Sequence, residues 1–178
     1  WPRCCANRVS VWRKMEVTQR QTETRRAWVL DDLVIVPMQA ESAADAIVQL
    51  GVRLQASGFV KDSWIQATLD RERTFATGLP TPEIGVAIPH ADAEHVLQQA
   101  IAVGVLKKPV EFGEMGNPES AVPVHVVCAL AVARSELLVA LLQRLVEMFQ
   151  SPGVLKQIAE AQSPAEIVEI FDQHIELK

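Results

Sequence analysis

Several things are missing from this chain, and each absence removes a class of protein. Its three cysteines, Cys4, Cys5 and Cys128, form no CxxC pair. A disulfide framework is therefore not expected, which suits a cytoplasmic protein. No apolar run reaches the ~20 residues that span a bilayer. The start is basic and has no apolar segment, so no secretory signal is expected. No repeat and no low-complexity tract is present. The histidines are few, four in all.

What remains is a chain of 178 residues, 49% hydrophobic, long enough to bury the core of one domain. Its charge is uneven. Residues 1–26 hold seven Lys/Arg (Arg3, Arg8, Arg13, Lys14, Arg20, Arg25 and Arg26) against Glu16 and Glu23. The remainder, 27–178, carries 10 basic and 20 acidic side chains, which disfavours nucleic acid as a partner of the folded part. The basic stretch lacks helical periodicity and reads as a solvated, disordered tail. The expected organisation is that tail, 1–26, followed by one domain, 27–178.

Within the domain, Trp28–Val36 reads as a strand ended by Pro37. Glu41–Ser57 has helical spacing, with Gly58 as its C-cap. Asp62 or Ser63 can cap a second helix from Trp64 to about Arg73. Residues 77–85, TGLPTPEIG, read as a loop. Ile84–Ile88, Ala100–Leu106 and Val122–Ala133 read as strands, the last apolar on both faces and so covered on both sides. GEMGNPES, 113–120, reads as a loop. Ser135–Phe149 is amphipathic, and Ser151-Pro152 and Ser163-Pro164 open helices over 152–160 and 164–175. Strands interleaved with helices predict a single-domain α/β sandwich with a mixed or parallel sheet.

The chemistry centres on IGVAIPHADAEH, residues 84–95. Pro89 ends the strand, so His90 stands where the chain turns, as sites on scaffolds often do. His90, Asp92 and His95 form H-x-D-x-x-H. Zinc needs three or four ligands, no further histidine or cysteine is near in sequence, and a spacing of five leaves no common helical face. No metal and no cofactor is expected. His125, inside VPVHVVCAL, reads as a hydrogen-bonded sheet histidine, His174 as a solvated helix residue and Cys128 as core. Upstream of His90 lie the Gly/Thr loop and LDRER, 69–73. An imidazole, an arginine and a loop of backbone donors suit an anionic substrate, above all phosphoryl transfer.

These residues also carry a resemblance. LDRERTFATGLPTPEIGVAIPHADAEHV, 69–96, resembles the signature of the fructose/mannitol/galactitol superfamily of enzyme IIA proteins of the phosphoenolpyruvate-dependent sugar phosphotransferase system. It has an Arg-Glu pair, then Thr-Gly, then an apolar strand ending in Ile-Pro-His. TGLPTPEIGVAIPH with the following EHV is most similar to the galactitol-type branch. The resemblance implies a mixed sheet flanked by helices on both faces, a phosphorylated histidine at His90, and Arg71 as the phosphoryl-binding arginine. Glu72, Thr77 and His95 are the supporting candidates. Mannitol-type members carry another histidine after the last core strand, where this chain has Leu137, and His95 is the nearest substitute. The implied partners are the histidine-containing phosphocarrier protein, a cognate enzyme IIB and, indirectly, the membrane enzyme IIC. Three rival readings compete with the relay: a regulatory module of the same family, a metal hydrolase, and a domain in which His90 merely closes a sheet edge.

Overall fold

The computed structural model describes residues 27–175. The basic stretch 1–26 expected to form a tail lies outside the described residues. Among those described, no helix is long and apolar enough to cross a membrane.

A short 3-10 turn, Asp31–Leu33, leads into β1, Val34–Met38. The strand runs through Pro37, which the sequence reading had as its end. β1 is an edge strand paired only with β4, and an edge tolerates a residue without an N–H. Two helices follow, α1, Ala43–Ala56, and α2, Trp64–Thr74. Ser42 caps α1 by accepting from the Asp45 N–H at 3.1 Å, while Asp45 accepts from the Glu41 N–H at 3.0 Å. Together the two bonds tie the entering chain to the first turn. Ser63 stands at the N-cap of α2, yet its hydroxyl makes no capping bond there.

After α2 come β2, Gly78–Leu79, and β3, Gly85–Ala87, then a long hairpin of β4, Ala100–Glu114, and β5, Asn117–Ala131. The helices α3, Ser135–Gln150, α4, Val154–Glu160, and α5, Pro164–His174, close the chain. β1 lies parallel to β4, β4 antiparallel to β5, and β5 parallel to β3, so the five-stranded sheet is mixed. β2 pairs antiparallel with β3 and touches the far end of β4 at Gly78 and Glu114.

The hairpin is longer than the apolar runs suggested. Lys107, Lys108 and Pro109 are exposed, yet pairing resumes at Val110↔Val124 and continues to Glu114↔Asn117. The stretch expected as a loop is thus the hairpin tip, where Gly116 takes the left-handed φ of 81° that a tight turn needs. His125 sits in a bulge of β5: Gly85 pairs with Val124 and Val86 with Val126. The extra residue flips the strand's alternation, so Val122 and Val124 pack on one face and Val126, Cys128 and Leu130 on the other. The ring is half-buried and its Nδ1 has no hydrogen-bond partner among the described residues, unlike the bonded sheet histidine expected. His174 also differs: it is half-buried, and its Nδ1 bonds the Ile170 carbonyl at 2.8 Å.

Both faces are covered. α3, α4 and α5 pack on Ile101, Val103, Val105, Val126, Cys128 and Leu130. α1 and α2 pack on a face that sets Ala87, Ala100, Ala102, Ala129 and Ala131 beside Phe112, Val124 and Val127. The buried polar side chains among the described residues are Thr68, Thr77 and His90.

Candidate active site

β3 is short because Pro89 cannot extend its ladder. The chain still holds to β5 for one more step, since the Leu130 N–H donates to the Pro89 carbonyl at 2.9 Å and His90 bridges to Leu130. That bridge anchors His90 at the strand's end. Its imidazole is buried, and Nδ1 lies 3.0 Å from the carbonyl oxygen of Ile88. A carbonyl only accepts, so Nδ1 must carry the proton and Nε2 keeps its lone pair.

The charges around the ring come from two elements. Burial holds the His90 pKa below its ordinary value; the bond to the Ile88 carbonyl pulls the other way, the Arg71 guanidinium adds to the lowering, and Asp92 opposes it least. His90 is therefore neutral near pH 7. Arg71 is in the last turn of α2, one-third exposed, 3.6 Å from a carboxylate oxygen of Asp92, and its guanidinium lies 5.5 Å from the centroid of the Phe75 ring. Its Nε has no hydrogen-bond partner among the described residues. These contacts set the guanidinium beside the imidazole with donors to spare.

Glu72, the next residue, faces the loop. It accepts from the Thr77 N–H at 2.9 Å and from the Thr77 hydroxyl at 2.7 Å. Burial raises its pKa, and the two Thr77 bonds partly offset the rise. The carbonyl of Thr77 in turn accepts the Ile88 N–H at 3.3 Å. A continuous chain thus runs from Glu72 through Thr77 and Ile88 to His90 Nδ1. Of the residues singled out in the sequence, Arg71, Glu72, Thr77 and His90 come together.

His95 is held elsewhere. Its Nδ1 pairs with the Ser63 hydroxyl at 2.8 Å and its Nε2 lies 3.4 Å from Glu94, and among the described residues no hydrogen bond joins it to His90. Its carbonyl also accepts the Lys61 N–H at 2.9 Å, so it fastens the start of α2. Leu137, in the first turn of α3, packs against the bulky core and offers no polar group. H-x-D-x-x-H does not converge either, since Asp92 turns to Arg71 and His95 to Ser63. Among the described residues no three His, Cys, Asp or Glu side chains are placed to hold a metal. Sequence reading missed Asp92 as the partner of Arg71 and Ser63 as the partner of His95. Their signals, an acid two residues after the histidine and a serine at a helix start, are too common to single out.

The sheet and this site together define an α/β sandwich with a buried histidine at a strand end and an arginine beside it. Residues 29–174 match the family described as "Phosphoenolpyruvate-dependent sugar phosphotransferase system, EIIA 2", and the chain belongs to that family. It is 30% identical over 115 residues to the galactitol-specific EIIA component of the phosphotransferase system of Escherichia coli K12, covering 65% of this chain and 76% of that one. It is 29% identical over 147 residues to a mannitol-specific enzyme IIA component of Staphylococcus aureus, covering 80% of this chain and 94% of that one. Among solved structures it resembles the enzyme IIAMTL complex with phosphorylated enzyme IIBMTL from Escherichia coli, with a TM-score of 0.68 at 22% identity, covering 82% and 97% of the two chains.

Proposed function

We propose that this protein is the enzyme IIA relay of a sugar or polyol uptake system of the galactitol type. His90 takes a phosphoryl group from the histidine-containing phosphocarrier protein and passes it to a cysteine of a cognate enzyme IIB, which serves the membrane enzyme IIC. The observation that carries the reading is the Nδ1 bond to Ile88, which leaves Nε2 free beside Arg71. The domain 27–178 does this work in the cytoplasm, with 1–26 as an appended basic tail. The enzyme IIB partner is supported by the IIAMTL–IIBMTL complex, and the polyol by the galactitol- and mannitol-specific relatives.

The Nε2 lone pair forms the new N–P bond as the donor's N–P bond breaks and its electron pair returns to the donor nitrogen. The Nδ1 proton stays in place, so the phosphorylated ring carries a positive charge that the Ile88 carbonyl stabilises. Arg71 holds the equatorial oxygens during in-line transfer. No metal is needed, because guanidinium supplies the positive charge. Glu72 and Thr77 act at one remove, by holding the loop whose carbonyl positions Ile88. His95 supports the site through Ser63 and the helix that carries Arg71.

The test is intact-mass analysis after incubation with phosphoenolpyruvate, enzyme I and the phosphocarrier protein. Wild type should gain one acid-labile phosphoryl group and His90→Ala none. Labelling of His90→Ala, or none of wild type with competent donors, overturns the assignment. Labelling without delivery to any enzyme IIB would favour a regulatory module of the same family.

A further inference from the structure

Three buried donors lie on one stripe of α2, and none has a hydrogen-bond partner among the described residues: Trp64 Nε1, Thr68 Oγ1 and Arg71 Nε. The spacing of four and then three places them in line along the helix. Trp64 belongs to the contact between α1 and α2, since a Cβ on Gly51 would meet its ring at 3.1 Å. Thr68 and Arg71 are one turn apart, and Arg71 is at His90.

Thr68 is only 1% exposed. A threonine within a helix can give its hydroxyl to a carbonyl one turn back, as the exposed Thr74 does on this helix with Asp70 at 3.4 Å. Thr68 makes no such bond. The other local acceptor, the Glu72 carboxylate one turn on, is committed to Thr77. An unpaired buried hydroxyl is costly, and such a group in a native fold calls for a partner. A phosphoryl group on His90 brings three acceptor oxygens to the end of this stripe.

We propose that Thr68 is a phosphoryl-binding residue, its hydroxyl donating to one equatorial oxygen of the group on His90 while Arg71 donates to the others. This rests on the relay reading and extends it to a residue not singled out by the sequence. Thr68→Val keeps the shape and removes the donor, and Thr68→Ser keeps the donor. Phosphoryl uptake from the phosphocarrier protein should slow about tenfold in Thr68→Val, the worth of one such bond, and stay near wild type in Thr68→Ser. The phosphorus-31 resonance of the phosphohistidine should move in Thr68→Val only. Uptake within twofold of wild type and an unmoved resonance overturn the role of Thr68 alone. Absence of labelling in wild type overturns the relay and this role with it. Where Thr68→Val lowers the melting temperature, wild type decides: Thr68 resonances shift on phosphorylation of His90, and unshifted resonances overturn the proposal.

Discussion

The two faces of the sheet are built from different side chains. The face under α3, α4 and α5 presents Ile101, Val103, Val105, Val126 and Leu130 against Leu141, Leu145, Met148 and Phe149. The face under α1 and α2 sets Ala87, Ala100, Ala102, Ala129 and Ala131 beside Phe112, Val124 and Val127 at its other end, against Ile47, Leu50, Leu54 and Trp64. Large interlocking side chains give the first face most of its burial, at roughly 25 cal/mol for each Å² removed from water. Small ones bring the helices of the second face close to the strands. Thr68 lies on α2, and Thr77 is bonded to Glu72 of α2. Whether stability and chemistry divide between the faces can be tested by substitution.

The largest contrast should come from one change on each face. Arg71→Gln removes the cation beside His90 and should slow phosphoryl uptake by about 10²–10³, the usual cost of a donor aimed at developing charge. Its melting temperature should hardly move, because Arg71 is one-third exposed and its pair with Asp92 is solvated. Leu145→Ala should do the reverse. That side chain is fully buried, so its loss should cost about 2–5 kcal/mol in denaturant unfolding while uptake by the folded fraction is unchanged. A stable Arg71→Gln with normal uptake, or a Leu145→Ala whose folded fraction has lost uptake, would break the division.

A smaller effect is set by pH. The folded His90 binds its proton less tightly than the unfolded chain, whose value is about 6.5. Uptake should therefore fall on the acid side with a midpoint below 6.5, as protonation removes the Nε2 lone pair. The same group contributes stability that is full above the unfolded value and is lost as pH falls toward the folded one. Glu72 acts in the opposite direction: its raised pKa adds stability on the acid side, lost as pH rises from the unfolded carboxylate value toward the folded one. A midpoint for uptake above 6.5 would contradict the buried, neutral ring.

Much of this was legible in the sequence because it depended on local patterns. The helices follow apolar spacing, β3 follows a short β-branched run closed by Pro89, and the Arg-Glu, Thr-Gly and Pro-His elements name the residues that meet. What was hidden depends on pairing across distance. The Lys107–Pro109 interruption looks like a strand end, yet β5 continues the ladder beyond it. The bulge at His125 is set by two partner strands at once and leaves no mark in β5 alone. Likewise Thr68 looks like any polar helix residue until the packing buries it.

His95 gives the finest distinction, since it lies five residues from His90 and shares its residue type. His90 is fixed by a backbone carbonyl, whereas His95 is fixed by the side chains of Ser63 and Glu94. If its work is to hold the start of α2, His95→Ala should slow uptake only a few-fold, through the positioning of Arg71. Ser63→Ala should slow it by a similar amount, and the double variant should add little more, because both changes break one bond. Separate and additive losses would instead place the imidazole itself in the transfer, as a second histidine acting on the phosphoryl group.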